Sequence, residues 1–223
     1  MDTVIFDLDD TLADTWHATK RANRKLFFYF LKKRLFKLVR ALIFRENVDF
    51  IANSSYILLM DSNDIIRMFI KNYYPDIPEE FLDGAVMEFD KEFFRNFKLN
   101  EGALDVLDYL KGRYRLCLVT DGTLRWQEQK IELLGINGYF DKIAIAGALG
   151  TSKPDPMNFM EVLSGSEDKV YVIGDRVETD IAGGASIGAV TILFKNGFFN
   201  YDRDCGIVPT YTIEHLSELR QYL

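Results

Sequence analysis

The chain has 223 residues, 48% of them hydrophobic, enough for one substantial core and a second small one. Its net charge of −7 argues against wholesale nucleic-acid binding, which needs a basic surface. The charge is unevenly spread: Lys20 to Arg45 holds ten Lys and Arg and no acid, leaving 17 of the 27 bases to face all 34 acids elsewhere.

In chain order, the first predicted strand is TVIFD, residues 3–7, which runs directly into the carboxylates Asp7, Asp9 and Asp10. Like charges this close oppose one another's ionisation unless a cation sits among them. Residues 14–98 then hold no convincing strand. Helical patterns fill them, including SNDIIRMFIKNYY and PEEFLDGAVMEFDKEFFRNF, separated by Pro75 and Pro78. So long a helical stretch is an inserted domain and not a loop, which leaves a discontinuous core of 1–13 joined to 99–223.

Within the insertion, residues 24–45 read as one amphipathic helix. On a helical wheel Phe28, Leu31, Leu35, Phe36, Leu38, Val39, Leu42 and Ile43 share one side, and Lys33, Arg34, Lys37 and Arg40 the other. Three readings of the cationic side stay open. It is a solvated face, it steers an anionic substrate, or it docks weakly on acidic lipid or a partner protein.

After the insertion, four further apolar runs read as buried parallel strands, at 115–121, 142–146, 169–175 and 189–194. Helical patterns at 102–112, 124–135, 156–165 and 178–188 alternate with them, and a short YTI strand and a helix close the chain. This alternation predicts an α/β fold, a doubly wound Rossmann-like parallel sheet with helices on both faces. Cys117 lies in the apolar run LCLV, so no disulfide with Cys205, the other cysteine, is expected. No signal peptide precedes the first strand, and the longest uncharged stretch, 181–194, is interrupted by glycines and too short to span a bilayer. A cytoplasmic protein without a transmembrane segment is expected.

In open α/β sheets ligands bind beyond the carboxyl ends of the strands. Collecting the polar residues there gives Asp7 and Asp9, then Thr120, Asp121 and Gly122, then Lys153, then Asp175 with Glu178 and Asp180 following. Each fragment alone reads as a turn or a helix cap. Their occurrence together, in order and each at a strand end, reads as a site. A ligand set this rich in oxygen suits a hard cation, Mg²⁺ before Zn²⁺. Neither His17 nor His215 lies at a strand end.

FDLDDTL, the Thr-Asp-Gly after the second strand, the Lys-Pro of GTSKPDP and GDRVETD resemble the four motifs of the haloacid-dehalogenase-like superfamily. The helical insertion after the first motif resembles the cap of its phosphatase-rich branch. The resemblance implies that Asp7 is a nucleophile forming an aspartyl-phosphate and Asp9 the general acid/base. It implies Mg²⁺ held by Asp7, the backbone carbonyl of Asp9 and Asp175, with Asp180 acting through water. Thr120, the amides of Asp121 and Gly122, and Lys153 would hold phosphate oxygens.

The cap and the segment entering it would choose a small phosphorylated substrate, with Trp16 and His17 as candidates to touch the leaving group. Packing is the other reading of Trp16, and a partly exposed polar role that of His17. The sequence departs from the family where Asp121 replaces a frequent Asn, where Asp10 occupies a position often Gly, and in the extra carboxylate of Glu178. The expected activity is that of a Mg²⁺-dependent phosphatase, monomeric or homodimeric. The alternatives are a phosphomutase on the same core and a non-catalytic phosphate-binding or regulatory module. Asp9 argues against a dehalogenase, which forms its ester on carbon and needs no such acid.

Overall fold

The protein is described here by a computed structural model covering residues 1–44, 46, 59–165, 168–196 and 206–223. Cys205 and Arg45 lie outside the described residues. The chain forms two compact units, Met1–Asp14 with Lys98–Leu223, and Thr15–Phe97.

The first unit is built on a six-stranded sheet in the order β3-β2-β1-β4-β5-β6. The strands are β1 (Thr3–Phe6), β2 (Arg115–Thr120), β3 (Lys142–Ile145), β4 (Val170–Gly174), β5 (Val190–Phe194) and β6 (Tyr211–Ile213). Every neighbouring pair is parallel. All four residues of β1 are buried, as a strand covered on both faces requires. The chain winds outward from β1 to β2 and β3, then crosses back to β4 on the other side. The switch point of the topology is therefore the seam between β1 and β4, where ligands bind in such sheets. Phe6 stands in register with Leu118 of β2 and Ile173 of β4, so the next residue, Asp7, leaves the sheet at that seam.

The second unit is helical: α1 (Thr15–Lys32), α2 (Phe36–Ile43), α3 (Ser62–Tyr73) and α4 (Glu79–Asn96). The single helix expected over 24–45 is broken. Arg34 takes a left-handed φ of 59°, its N–H donates to the Leu31 carbonyl at 3.1 Å, and the Leu35 N–H donates to the Phe30 carbonyl at 2.9 Å. That pair of bonds is a Schellman stop with arginine in the place usually taken by glycine. The break turns the following residues away from the wheel's single apolar side. Leu38 and Val39 are buried, whereas Phe28, Leu31, Phe36 and Ile43 are 50%, 44%, 60% and 60% exposed. Basic side chains lie against rings, with Lys33 Nζ 5.1 Å from the Phe81 ring centre and Lys37 Nζ 5.4 Å from that of Tyr74. No helix among the described residues is long and apolar enough to cross a membrane.

The remaining helices of the first unit are α5 (Ala103–Leu110), α6 (Leu124–Leu134), α7 (Ala146–Leu149), α8 (Pro156–Met160) and α9 (Ala182–Ser186). Two of these, α8 and α9, and the closing helix are well short of what the sequence pattern suggests. The expected helix 156–165 ends at Met160, and the closing helix is a 3-10 turn at Leu216–Gln221. The expected 178–188 helix opens as a π-helical turn, Val177–Ile181, before α9. One core cluster joins Ile5, Cys117, Val119 and Val172 of the strands to Phe159 of α8. Gly183 lets α9 lie flush on that ring: a Cβ there would stand 2.1 Å from the Phe159 side chain. Gly183→Ala should therefore overpack the core and cost about 1–3 kcal/mol. Urea denaturation reads it, and an unchanged midpoint would show that the ring yields freely.

Candidate active site

Asp7 is fixed by the sheet itself. Its N–H donates to the Ile173 carbonyl at 2.9 Å, continuing the β1–β4 ladder one residue beyond the strand. A tight loop follows, in which Asp10 adopts a φ of 60° and its N–H donates to the Ala13 carbonyl at 2.8 Å. Leu8 and Leu12 are fully buried and anchor this loop, so the carboxylates around them are held on a rigid base.

Lys153 is buried, and its ammonium bonds Asp7 Oδ1 at 2.5 Å and Asp180 Oδ1 at 2.6 Å. Its backbone N–H donates to Asp121 Oδ1 at 3.0 Å. The Asp121 side chain thus holds the lysine loop, a role the sequence reading did not assign to it. Asp175 follows β4 and is fully buried; its two oxygens face Thr11 Oγ1 at 3.4 Å and Asn196 Nδ2 at 3.3 Å. Asp180 comes from the π-helical turn, with Oδ2 accepting the Arg176 N–H at 3.1 Å. Gly174 is required beside it, because a Cβ there would fall 2.3 Å from the Asp180 side chain.

Carboxylate oxygens of Asp7, Asp175 and Asp180 lie within 4.8 Å of one another, and all three residues are buried. The electrostatic consequence is large. Burial pushes the Asp7 carboxyl up to about 8; Lys153 opposes this, and Asp180 and Asp9 add to it. Burial, then Asp7 and Asp180, also hold Asp175 well above the ordinary carboxylate range. Burial alone would lower Lys153, but Asp180 and Asp7 overcome it and keep the ammonium charged. One ammonium does not balance three facing carboxylates. The all-oxygen donor set and its surplus negative charge fit a hard divalent cation such as Mg²⁺.

The other expected residues fall as follows. Asp9 does not join the three-carboxylate group; its carboxylate is gripped by Lys130 Nζ at 2.6 and 2.9 Å and by Gln127 Nε2 at 3.0 Å. Thr120 is buried at the end of β2, its hydroxyl 3.4 Å from the Asp121 carbonyl. Gly122 has a φ of 114°, where a Cβ would press within 2.7 Å of Gln127 Nε2. Glu178 is exposed and lies outside the carboxylate group, which leaves that place to Asp180. Trp16 and His17 belong to the first turn of α1, in the helical unit, with Trp16 half-buried and His17 exposed.

Four contributors escaped sequence reasoning: Thr11, Gln127, Lys130 and Asn196. Asn196 stands just past β5 and was available to the same strand-end rule that found the others. Gln127 and Lys130 share the buried face of α6 with Trp126 and Ile131, a placement that a polar pair in LRWQEQKIELL does not announce.

Comparison with known proteins bears on the family and the fold. The model of the haloacid dehalogenase-like hydrolases matches residues 1–188. Pyrimidine 5'-nucleotidase YjjG of Escherichia coli is 32% identical over 126 residues, a match spanning 55% of this chain and 55% of that protein. Glyceraldehyde 3-phosphate phosphatase of Pyrococcus abyssi is 28% identical over 213 residues, covering 87% of this chain and 81% of the relative. Among solved structures, the HAD-hydrolase YfnB of Bacillus subtilis, bound to magnesium, superposes with a TM-score of 0.73 at 23% identity, over 100% of this chain and 98% of that one. Motifs, sheet order and family match converge, and the chain belongs to the haloacid dehalogenase-like hydrolases.

Proposed function

We propose that the protein is a Mg²⁺-dependent phosphatase that hydrolyses a small phosphate monoester through an aspartyl-phosphate on Asp7, with the helical unit Thr15–Phe97 as its cap. The observation that carries the reading is the buried Lys153 ammonium, within 2.6 Å of both Asp7 and Asp180 at the sheet's switch point. The names of the two relatives, one a nucleotidase and one a triose-phosphate phosphatase, support a phosphoric monoester as the substrate class.

The chemistry follows from the residues. An oxygen of Asp7 attacks phosphorus, and the bond from phosphorus to the leaving oxygen breaks. Asp9 donates a proton to that oxygen. A water then attacks the phosphorus of the acyl phosphate, Asp9 takes the water's proton, and inorganic phosphate leaves with Asp7 restored. Lys153, the Thr120 hydroxyl and the amides of Asp121 and Gly122 receive the non-bridging oxygens, a task of positioning and charge neutralisation. Asp7, Asp175, Asp180 and the Asp9 carbonyl would hold Mg²⁺, which supplies the positive charge that the facing carboxylates lack.

Asp7→Asn should remove phosphate release entirely, and Asp9→Asn should lower it on the order of 10²–10⁴-fold, the usual worth of a positioned acid/base. Activity above a few per cent in Asp7→Asn would contradict the nucleophile. Chelation with EDTA should abolish turnover, Mg²⁺ restore it, and Ca²⁺, which favours more ligands and a looser shell, restore it poorly. Full activity in chelator would end the metal reading.

The metal also has a readout independent of turnover. Mg²⁺ at a hundred times its Kd should stabilise the parent by about 2.7 kcal/mol against melting. Asp175→Asn should lose most of that gain. In chelator the variant should melt no lower than the parent, because one of three mutually repelling buried carboxylates has gone. Equal stabilisation of both proteins by Mg²⁺ would place the ion elsewhere.

A further inference from the structure

The phosphatase reading gives no task to one buried lysine beside the site. Lys130 lies on α6, and its side chain is only 4% exposed. Burying a lysine is unfavourable unless it is closely paired. Its partner is not a core acid. It is Asp9, whose side chain keeps 30% of its surface open. The ammonium reaches both oxygens of that carboxylate, at 2.6 and 2.9 Å.

Gln127, one helical turn earlier on the same face, adds a third bond to Asp9 Oδ2 at 3.0 Å and donates also to the Asp121 carbonyl. Among the described residues its Oε1 has no hydrogen-bond partner, so the placement of this amide is set by its donor end. An unsatisfied buried acceptor costs free energy. Gly122 makes room for the amide, since a Cβ there would meet Gln127 Nε2 at 2.7 Å. Three hydrogen bonds from two side chains of one helix thus fix the direction of a single accessible carboxyl, two residues beyond the nucleophile.

We infer that Lys130, assisted by Gln127, is a positioning residue that aims the Asp9 carboxyl at the leaving-group oxygen; the inference rests on the phosphatase reading of Asp9. Small losses of aim in a proton-transfer group carry large rate penalties. No bond of the substrate is made or broken by Lys130. Its effect passes through Asp9 and must share that residue's signature, a dependence on how much the leaving group needs a proton.

The test is kcat/KM, which reports the steps through leaving-group departure, across a series from alkyl phosphates to dinitrophenyl phosphate. Lys130→Met should lower kcat/KM by roughly 10²-fold for an alkyl phosphate, within the range of a lost acid, and by less than about threefold for dinitrophenyl phosphate, whose leaving group needs no proton. Lys130→Arg should return the alkyl phosphate to within about tenfold of the parent, because it restores a donor cation. The Asp9→Asn, Lys130→Met double variant should lose no more than Asp9→Asn alone.

A uniform loss across the series would make Lys130 a merely structural residue, and no loss a bystander; either overturns the inference. A steep profile for Asp9→Asn with a flat one for Lys130→Met overturns it while sparing the phosphatase reading. A flat profile for Asp9→Asn removes the acid assignment and this inference together. Thermal melting establishes that each variant is folded. If Lys130→Met is not, Gln127→Leu must show the same tilt at a few-fold amplitude, of the order expected for one lost hydrogen bond, and a flat profile there overturns the inference.

Discussion

Three buried carboxylates face one another while the one ammonium beside them pairs with only two, Asp7 and Asp180, and that imbalance is the constraint on which the site depends. Asp7 and Asp175 leave adjacent strands at the seam where the winding reverses, so the fold brings them together without any loop having to reach. Lys153 and Asp180 come from connecting segments, and each is pinned through its backbone surroundings. The Asp121 carboxylate takes the Lys153 N–H, and the Arg176 N–H holds Asp180. The cluster is poor for stability, since burial and mutual repulsion push Asp7 and Asp175 far from their ordinary titration. Proteins tolerate such strain where the charge is needed for binding or chemistry. On the proposed function, the need here is for a cation and for a phosphoryl group that carries negative charge of its own.

The parts legible in the sequence were those that a parallel strand advertises. A strand buried on both faces is a short apolar run, and the polar residues immediately after it stand out against that background. TVIFD, RLCLVTD and KVYVIGD therefore disclosed Asp7, Thr120, Asp121 and Asp175 together with the strand order's functional edge. Lys153 and Asp180 were reached by proximity to the same ends. The helical side was less legible for a physical reason. Lys130 and Gln127 satisfy the helical period as readily on a solvated face as on a buried one, and only the position of Asp9 across from them decides which.

The stop between α1 and α2 was hidden in the same way. Arg34 carries the left-handed conformation that glycine usually signals, so the run 24–45 offered no interruption to read. Its consequence is local but real. Aromatic and aliphatic residues placed together on one wheel divide into buried and exposed sets once the helix is cut. At Asp121 the hidden feature is of another kind: the side chain's partner, the Lys153 backbone N–H, lies 32 positions away. Long-range backbone donors are not readable from local pattern.

The central claim is that Asp7 forms a covalent bond to phosphorus during turnover, and its most direct measurement is to locate the phosphoryl group. Enzyme quenched in acid during steady-state hydrolysis, reduced with borohydride and digested, is read by mass spectrometry; reduction converts an aspartyl-phosphate to homoserine. The account predicts homoserine at position 7 and nowhere else, formed only when Mg²⁺ and substrate are both present. Continued turnover with Asp7 unmodified, or with the reduced residue at another aspartate, would contradict it.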